Sequence, residues 1–74
     1  MKLDDFIEKI QPRETRIRLD GDGFTLADLF FDNGIDLSIC YRNEKEPVGL
    51  AIFNDDVLLF DGIVNDLKDI FEDK

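Results

Sequence analysis

Apolar residues near the start of the chain recur with the period of a helix. Leu3, Phe6, Ile7 and Ile10 fall at i, i+3, i+4 and i+7, which places them on one face. Charged side chains occupy the remaining positions, and Pro12 cannot continue a helix because it lacks a backbone N–H. The pattern predicts a short amphipathic helix that ends at residue 10 or 11.

A second helical period lies at the other end of the sequence. Five apolar residues recur there at i, i+1, i+4, i+7 and i+8, a spacing that also fits one face of a helix. They are Ile63, Val64, Leu67, Ile70 and Phe71. The pattern predicts a C-terminal amphipathic helix.

Between these two segments, apolar and polar residues alternate as in strands with one buried face. Thr15 to Leu19 is the first such run, and Ile35 to Tyr41 is the clearest one. Val48 to Phe53 and Val57 to Phe60 predict a hairpin around residues 54–56. We therefore expect at least four antiparallel strands.

Residues 24–31 fit either a strand or a helix. As a helix, Thr25 would cap the first turn with Asp28 at the third position, and Gly34 would end it. As a strand, the segment would lead into a two-residue hairpin turn at Asn33 and Gly34, with a bulge at Asp28 where the alternation breaks. We favour the strand because both neighbouring segments are predicted strands.

These elements predict one α+β domain that spans residues 1–74. We expect an antiparallel sheet of four to five strands, with the N-terminal and C-terminal amphipathic helices packed on one face. Apolar residues make up 43% of the sequence and include seven Phe, which argues for a folded core despite the high charge.

The net charge limits the classes of partner that the chain can bind. The chain has 18 acidic and 9 basic residues, a formal net charge of −9, which repels nucleic acids and anionic membranes and attracts basic proteins. No stretch approaches the roughly 20 apolar residues that span a bilayer. Cys40 is the only cysteine, so no internal disulfide can form. We expect a cytoplasmic protein without direct nucleic-acid or membrane binding.

Candidate catalytic groups are few. The chain has no histidine, and Ser38 and Cys40 have no evident base to activate them, so we do not expect an enzyme or a cofactor. Asp20, Gly21, Asp22 and Gly23 invite comparison with a calcium loop. With Gly23 at the sixth position of such a loop, however, the first and twelfth positions hold an arginine and a leucine, which cannot act as ligands. We read this segment as a tight turn and expect no metal site.

The distribution of the acidic residues is the strongest functional signal. No Lys or Arg occurs from Leu19 to Tyr41, or from Glu46 to Leu67. Carboxylates held outward by turns and hairpin ends could resemble a phosphate backbone and occupy a basic nucleic-acid site. The alternative is an acidic surface that only confers solubility. The candidate binding residues are Asp20, Asp22, Asp32, Asp36, Asp55 and Asp56.

Residues 3–10, LDDFIEKI, followed by residues 15–19, TRIRL, resemble the opening of small acidic proteins from phages of Gram-positive bacteria. Some of these are anti-CRISPR proteins. The resemblance covers about a quarter of the chain and implies a phage-encoded inhibitor of a CRISPR effector nuclease, acting in the cytoplasm of the host bacterium. It assigns no individual residue.

Three functions follow from these patterns. The first is an acidic inhibitor that covers the basic nucleic-acid site of an enzyme, in the manner of a DNA mimic. The second is a structural or assembly module that forms a homodimer through a sheet edge or an exposed aromatic residue, such as Phe30, Phe31 or Tyr41. The third is an immunity protein or antitoxin that neutralises a basic toxin.

Overall fold

The computed structural model describes residues 1–70. One helix is followed by five strands and a single 3-10 turn. The elements are α1 (Leu3–Ile10), β1 (Glu14–Leu19), β2 (Thr25–Phe30), β3 (Ile35–Tyr41), β4 (Val48–Asn54), β5 (Val57–Val64) and the 3-10 turn (Leu67–Ile70).

The helix α1 confirms the first prediction. Leu3 and Phe6 on its apolar face are buried, and acidic residues in its first turn complement the positive end of the helix dipole. It ends at Gln11, which adopts the left-handed conformation and donates its backbone N–H to Ile7. Pro12 follows directly, so the helix cannot continue.

The five strands form one antiparallel sheet in the order of the sequence. Each strand pairs with the next through a short connection. Alternate residues of the three central strands point to the side where α1 and the 3-10 turn lie. Together they form the core, which consists of Leu3, Phe6, Ala27, Leu29, Leu37, Ile39, Val48, Leu50 and Leu67.

The expected fold class is wrong in its C-terminal amphipathic helix. Ile63 and Val64 belong to β5, which pairs with β4 along its whole length. Leu67 and Ile70 lie in the 3-10 turn, where only Leu67 is buried, and Phe71 lies outside the described residues. The helical spacing arose by chance, because the end of a strand and a following turn placed their apolar residues at matching intervals. Pairing with β4 satisfies the backbone of this segment in place of a helix.

Residues 25–30 form strand β2, as we favoured. The expected bulge at Asp28 is wrong, since β2 keeps a regular register with both neighbours. The irregularity lies instead between β4 and β5, where Ile52 and Phe53 pair with Phe60 and Leu58. Asp28 needs no bulge because its side of the sheet carries no covering layer, and a polar residue is tolerated there.

Of the two hairpin turns at one end of the sheet, the one between β2 and β3 differs from expectation, whereas the hairpin predicted around residues 54–56 is confirmed. Residues 32–34 form a three-residue loop in which Gly34 alone has a positive φ, of 85°. The two-residue turn lies instead between β4 and β5, where Asp55 and Asp56 have φ of 49° and 70°. Positive φ at both central residues is the signature of a type I′ turn, which normally holds Asn-Gly.

Candidate protein-interaction surface

The sheet separates the six predicted binding residues into two groups. Because strand directions alternate, the β1–β2 turn, with Asp20 and Asp22, lies at the opposite end from the other two hairpin turns. Strands of six to eight residues rise about 3.3 Å per residue, so the groups are about 20 Å apart. The structure therefore brings four of the six candidates to one end of the sheet and places Asp20 and Asp22 at the other. The acidic end, as we call the second group, consists of Asp32, Asp36, Asp55 and Asp56.

Two turns are in contact at the acidic end. The backbone N–H of Asp55 donates to the carbonyl oxygen of Gly34 at 3.1 Å. The side chain of Asp55 also lies over Gly34, where a methyl group would come within 2.5 Å of its Oδ1. Glycine therefore serves two needs at position 34: a positive φ and close approach by a carboxylate. The contact ties the β4–β5 turn to the β2–β3 turn.

Asp36 is the least exposed carboxylate of this group. Its Oδ1 is shielded from solvent and has no hydrogen-bond partner within residues 1–70. Burial raises the pKa of Asp36, and the carboxylates of Asp28 and Asp56 raise it further. Its neighbours across the sheet are Phe30 and Phe53, so the carboxyl group lies between two aromatic residues.

Cations approach the acidic end only from the β1 side. Arg13 lies 3.1 Å from Asp32, but both side chains are largely exposed, so this ion pair adds little stability. In the described part of the chain, no cation forms an ion pair with Asp55 or Asp56. The β4–β5 turn therefore presents two adjacent, uncompensated negative charges.

An exposed apolar segment of β5 follows directly after this turn. Val57, Leu58, Leu59 and Phe60 are 61%, 52%, 58% and 42% exposed. Edge strands of natural sheets usually carry charges or bulges that prevent pairing with other chains. The sequence analysis predicted a strand over this segment but did not identify it as an exposed apolar surface. The signal was visible, since four consecutive apolar residues in a strand cannot all face the same side.

The predicted aromatic anchors have moderate exposure. Phe31 and Tyr41 are partly buried and pack against the core, on the same side as α1. Phe30 points to the opposite side of the sheet, where Arg16 lies 5.2 Å from its ring centroid. Phe30 is therefore the aromatic residue of the three that lies away from the core.

The side of the sheet opposite α1 has no covering layer within the described residues, and we call it the open face. Its residues follow from the alternation along each strand and from the strand register. They form three rows across the sheet, each written from β1 to β5. The rows are Arg18, Leu26, Cys40, Gly49 and Ile63; then Arg16, Asp28, Ser38, Ala51 and Asp61; then Glu14, Phe30, Asp36, Phe53 and Leu58.

The two outer rows of the open face are mainly apolar, with Arg18, Glu14 and Asp36 as their charged members, and the middle row is mainly polar. Arg18 lies 3.9 Å from Asp28, and Ser38 donates a hydrogen bond of 3.2 Å to the same carboxylate. Arg16 binds Glu14 at 2.8 Å. Both arginines lie on β1, whereas β5 contributes the single charge of Asp61. Positive charge is thus confined to one edge of the face.

A shallow groove crosses the open face, from Arg18 and Leu26 at one side to Asp61 and Ile63 at the other, and it is deepest over β4 because the residues there are small. Gly49 and Ala51 leave room there between Cys40 on one side and Ile63 on the other, and the groove has a volume of about 440 Å³. A methyl group added to Gly49 would lie 3.3 Å from the β-carbon of Cys40. The groove therefore exists because two consecutive open-face positions on β4 carry small residues.

Catalytic and metal-binding groups do not converge on either surface in the described residues. Ser38 and Cys40 share the open face, but the group next to Ser38 is Asp28, which accepts its hydrogen bond. No set of three carboxylate or thiol side chains within residues 1–70 is placed to hold a metal ion. None of the described helices has the length and apolar character needed to cross a bilayer.

No family model matches the chain, and neither a curated protein nor a solved structure matches it.

Proposed function

We propose that the chain is a stoichiometric, cofactor-free protein inhibitor that uses the acidic end and the adjoining part of β5 to occupy a basic nucleic-acid site on an enzyme. The observation that carries the proposal is the β4–β5 turn. Two uncompensated aspartates stand there in left-handed conformations, beside four exposed apolar residues. The resemblance of residues 3–10 and 15–19 to small acidic phage proteins points to a CRISPR effector nuclease as the target, in the cytoplasm of a host bacterium.

Backbone strain supports a binding role for Asp55 and Asp56. A left-handed conformation costs an L-amino acid about 1–2 kcal/mol, although Asp tolerates it better than most residues. Glycine would relieve that cost at position 56, yet the sequence has Asp there. Strain that a simple substitution would remove is characteristic of functional sites. A requirement for two carboxylates at this turn would explain why the residues are kept.

Electrostatics supports a basic partner. Residues 47–66 contain no Lys or Arg, and Asp66 is the one aspartate among them that pairs with a cation of the described chain, the N-terminal amine. The surface around Asp55, Asp56 and Asp61 therefore has a negative field. Such a field accelerates association with a basic cleft, and screening by salt weakens it. The exposed apolar residues of β5 would add contact area that salt does not weaken. We therefore expect fast binding, with an affinity that falls as salt rises but does not vanish.

The test compares two doubly substituted variants in a DNA-cleavage assay with a purified CRISPR effector nuclease. Asp55→Asn with Asp56→Asn removes two carboxylates from the acidic end. Asp20→Asn with Asp22→Asn removes two from a turn at the opposite end and is the matched control. Both variants change the net charge equally. We expect the wild type and the control to inhibit at a molar ratio near one, and the first variant to lose at least tenfold in potency.

Competition by DNA identifies the site. If the chain occupies the nucleic-acid site, excess short duplex DNA should relieve inhibition in proportion to its concentration. Inhibition that is unaffected by duplex DNA would contradict the proposed mimicry.

Equal loss of potency in both variants would show that total charge matters and that the acidic end has no special role. Absence of inhibition by the wild type would refute the nuclease as target. A pull-down from bacterial lysate, eluted with rising salt, would then identify another basic partner.

A further inference from the structure

The open face has more apolar surface than a water-facing sheet normally shows. Antiparallel sheets with one uncovered side usually carry polar residues there. Here the two outer rows contain six large or medium apolar side chains, none of them fully buried. They are Leu26, Phe30, Cys40, Phe53, Leu58 and Ile63. Ile63 is 73% exposed, a high value for a side chain of its size. Contiguous apolar surfaces of this kind are typical of protein-binding sites.

Strand β3 divides the open face into two halves, β1–β2 and β4–β5, which are complementary in charge and in side-chain size. Two arginines stand on the β1 edge, and Asp61 stands on the β5 edge. The β2 strand carries bulky Leu26, whereas the equivalent position on β4 is Gly49. A two-fold rotation about an axis along β3 exchanges these halves. It would bring positive charge over negative charge and a large side chain over the groove.

We propose that the open face binds a second copy of this chain, face to face, to form a homodimer whose two-fold axis runs along β3. In this arrangement β1 of each copy lies over β5 of the other, so Arg16 faces Asp61, and Arg18 lies one row away, opposite Ile63. Leu26 enters the groove above Gly49, and Phe30 faces Phe53. Sheets packed in this aligned manner are about 10 Å apart, and side chains interdigitate between them.

The size of the interface sets the expected strength of association. Five strands about 4.8 Å apart and three rows about 7 Å apart give a footprint of about 400–500 Å² on each copy. The total of about 800–1,000 Å² is below the roughly 1,200–2,000 Å² of stable specific interfaces and in the range of weak, transient ones. The dimer should therefore be in rapid exchange with monomers, and its population should change over a micromolar range of concentration.

The carboxylate of Asp36 should destabilise this dimer, and its substitution therefore provides a specific test. It lies on β3, so each Asp36 would face its counterpart across the axis, and two carboxylates so placed repel each other. Other charged groups around it are Asp28 on β2, Glu14 and Arg16 on β1, and Asp56 in the β4–β5 turn. Replacing Asp36 with Asn should therefore tighten the dimer, whereas removing a carboxylate outside the open face should leave the dimerisation constant unchanged.

The first experiment is sedimentation velocity from about 5 to 500 µM on wild type and charge-reversal variants, a range that brackets weak interfaces. Arg16→Glu and Asp61→Arg should each weaken dimerisation at least tenfold, and the two combined should restore it to within about threefold. Lys45→Glu and Glu8→Lys make the matching charge changes away from the open face and should have no such effect. Asp36→Asn should tighten the dimer at least threefold, and Glu8→Gln should leave it unchanged.

The second experiment locates the interface. Cys40 is the only cysteine and lies on β3, so the dimer should slow its alkylation by iodoacetamide as protein concentration rises. Cys40→Ser combined with Leu19→Cys places a thiol on an exposed position of β1 outside the open face, and its alkylation should be independent of concentration. This separates the proposed dimer from one that pairs β5 edges, which would leave Cys40 accessible.

Several results would overturn the proposal. They are a monomer at all concentrations, a dimer with unprotected Cys40, or charge-reversal variants that the combination fails to rescue. The open face and the proposed inhibitory surface share Asp36 and Leu58. Failure of the dimer is nevertheless distinguishable from failure of the inhibitor function, because the inhibition test substitutes Asp55 and Asp56, which lie outside the open face. If both hold, the two acidic ends lie at the same end of the dimer, since the axis is parallel to the strands.

Discussion

The turn at Asp55 and Asp56 allows backbone strain to be separated from charge. Both residues have positive φ, and Asp56 at 70° occupies the position where type I′ turns prefer glycine. We consider Asp56→Gly, Asp56→Asn and Asp56→Ala. All three remove the same carboxylate, so differences among them report on the backbone alone.

The expected magnitude follows from the left-handed conformation. An alanine there is disfavoured by about 1–2 kcal/mol, which glycine avoids. Glycine in turn loses about 0.5–1 kcal/mol through the greater freedom of the unfolded chain. The glycine variant should therefore be more stable than the alanine variant by about 1 kcal/mol, with asparagine between them. In a domain of this size, that difference corresponds to about 4–8 °C in Tm.

Urea denaturation followed by circular dichroism measures these differences, with thermal unfolding as a second probe. The glycine variant should also be more stable than the wild type, because it relieves repulsion between Asp56 and Asp36 as well as strain. If the alanine variant is as stable as the glycine variant, the reasoning fails, and the turn does not hold the conformation described. In the cleavage assay, the glycine variant should inhibit less well despite its greater stability, because the retained carboxylate is what binding requires.

Two further predictions concern stability. Leu67→Ala should cost about 2–4 kcal/mol in a urea titration, because the side chain of Leu67 extends from the 3-10 turn into the core and is fully buried. Leu19→Ala, at a side chain 82% exposed, should change stability by less than about 0.5 kcal/mol, and equal effects would contradict the assigned core. The raised pKa of Asp36 means that the folded chain keeps this proton to higher pH than the unfolded chain, so its ionisation lowers stability as pH rises. Asp36→Asn should therefore stabilise the fold at pH 7, with the gain disappearing below about pH 4, and a gain independent of pH would rule out this cause.

The sequence determined the elements whose signals are local. Helix α1 follows from four apolar residues on one face and from Pro12. Strands β1 and β3 follow from strict alternation, which requires no knowledge of the neighbours. The acidic character of residues 47–66 is also a property of the sequence alone, and it holds in any fold.

The C-terminal segment required the tertiary structure. The apolar spacing from Ile63 to Ile70 fits a helix, yet hydrogen bonding with β4 holds Ile63 and Val64 in a strand. Pairing partners distant in sequence decide this choice, and a local pattern does not include them. The same applies to the run from Val57 to Phe60, whose exposure follows from its place on the edge of the sheet.

The arrangement of the functional surfaces was likewise decided by the tertiary structure. Each predicted aspartate was identified in the sequence, but its neighbours depend on strand direction, which alternates and sends Asp20 and Asp22 to the far end. The open face follows from the position of the covering elements. In the described residues, α1 and the 3-10 turn both pack on one side of the sheet, and the other side is left available to a partner.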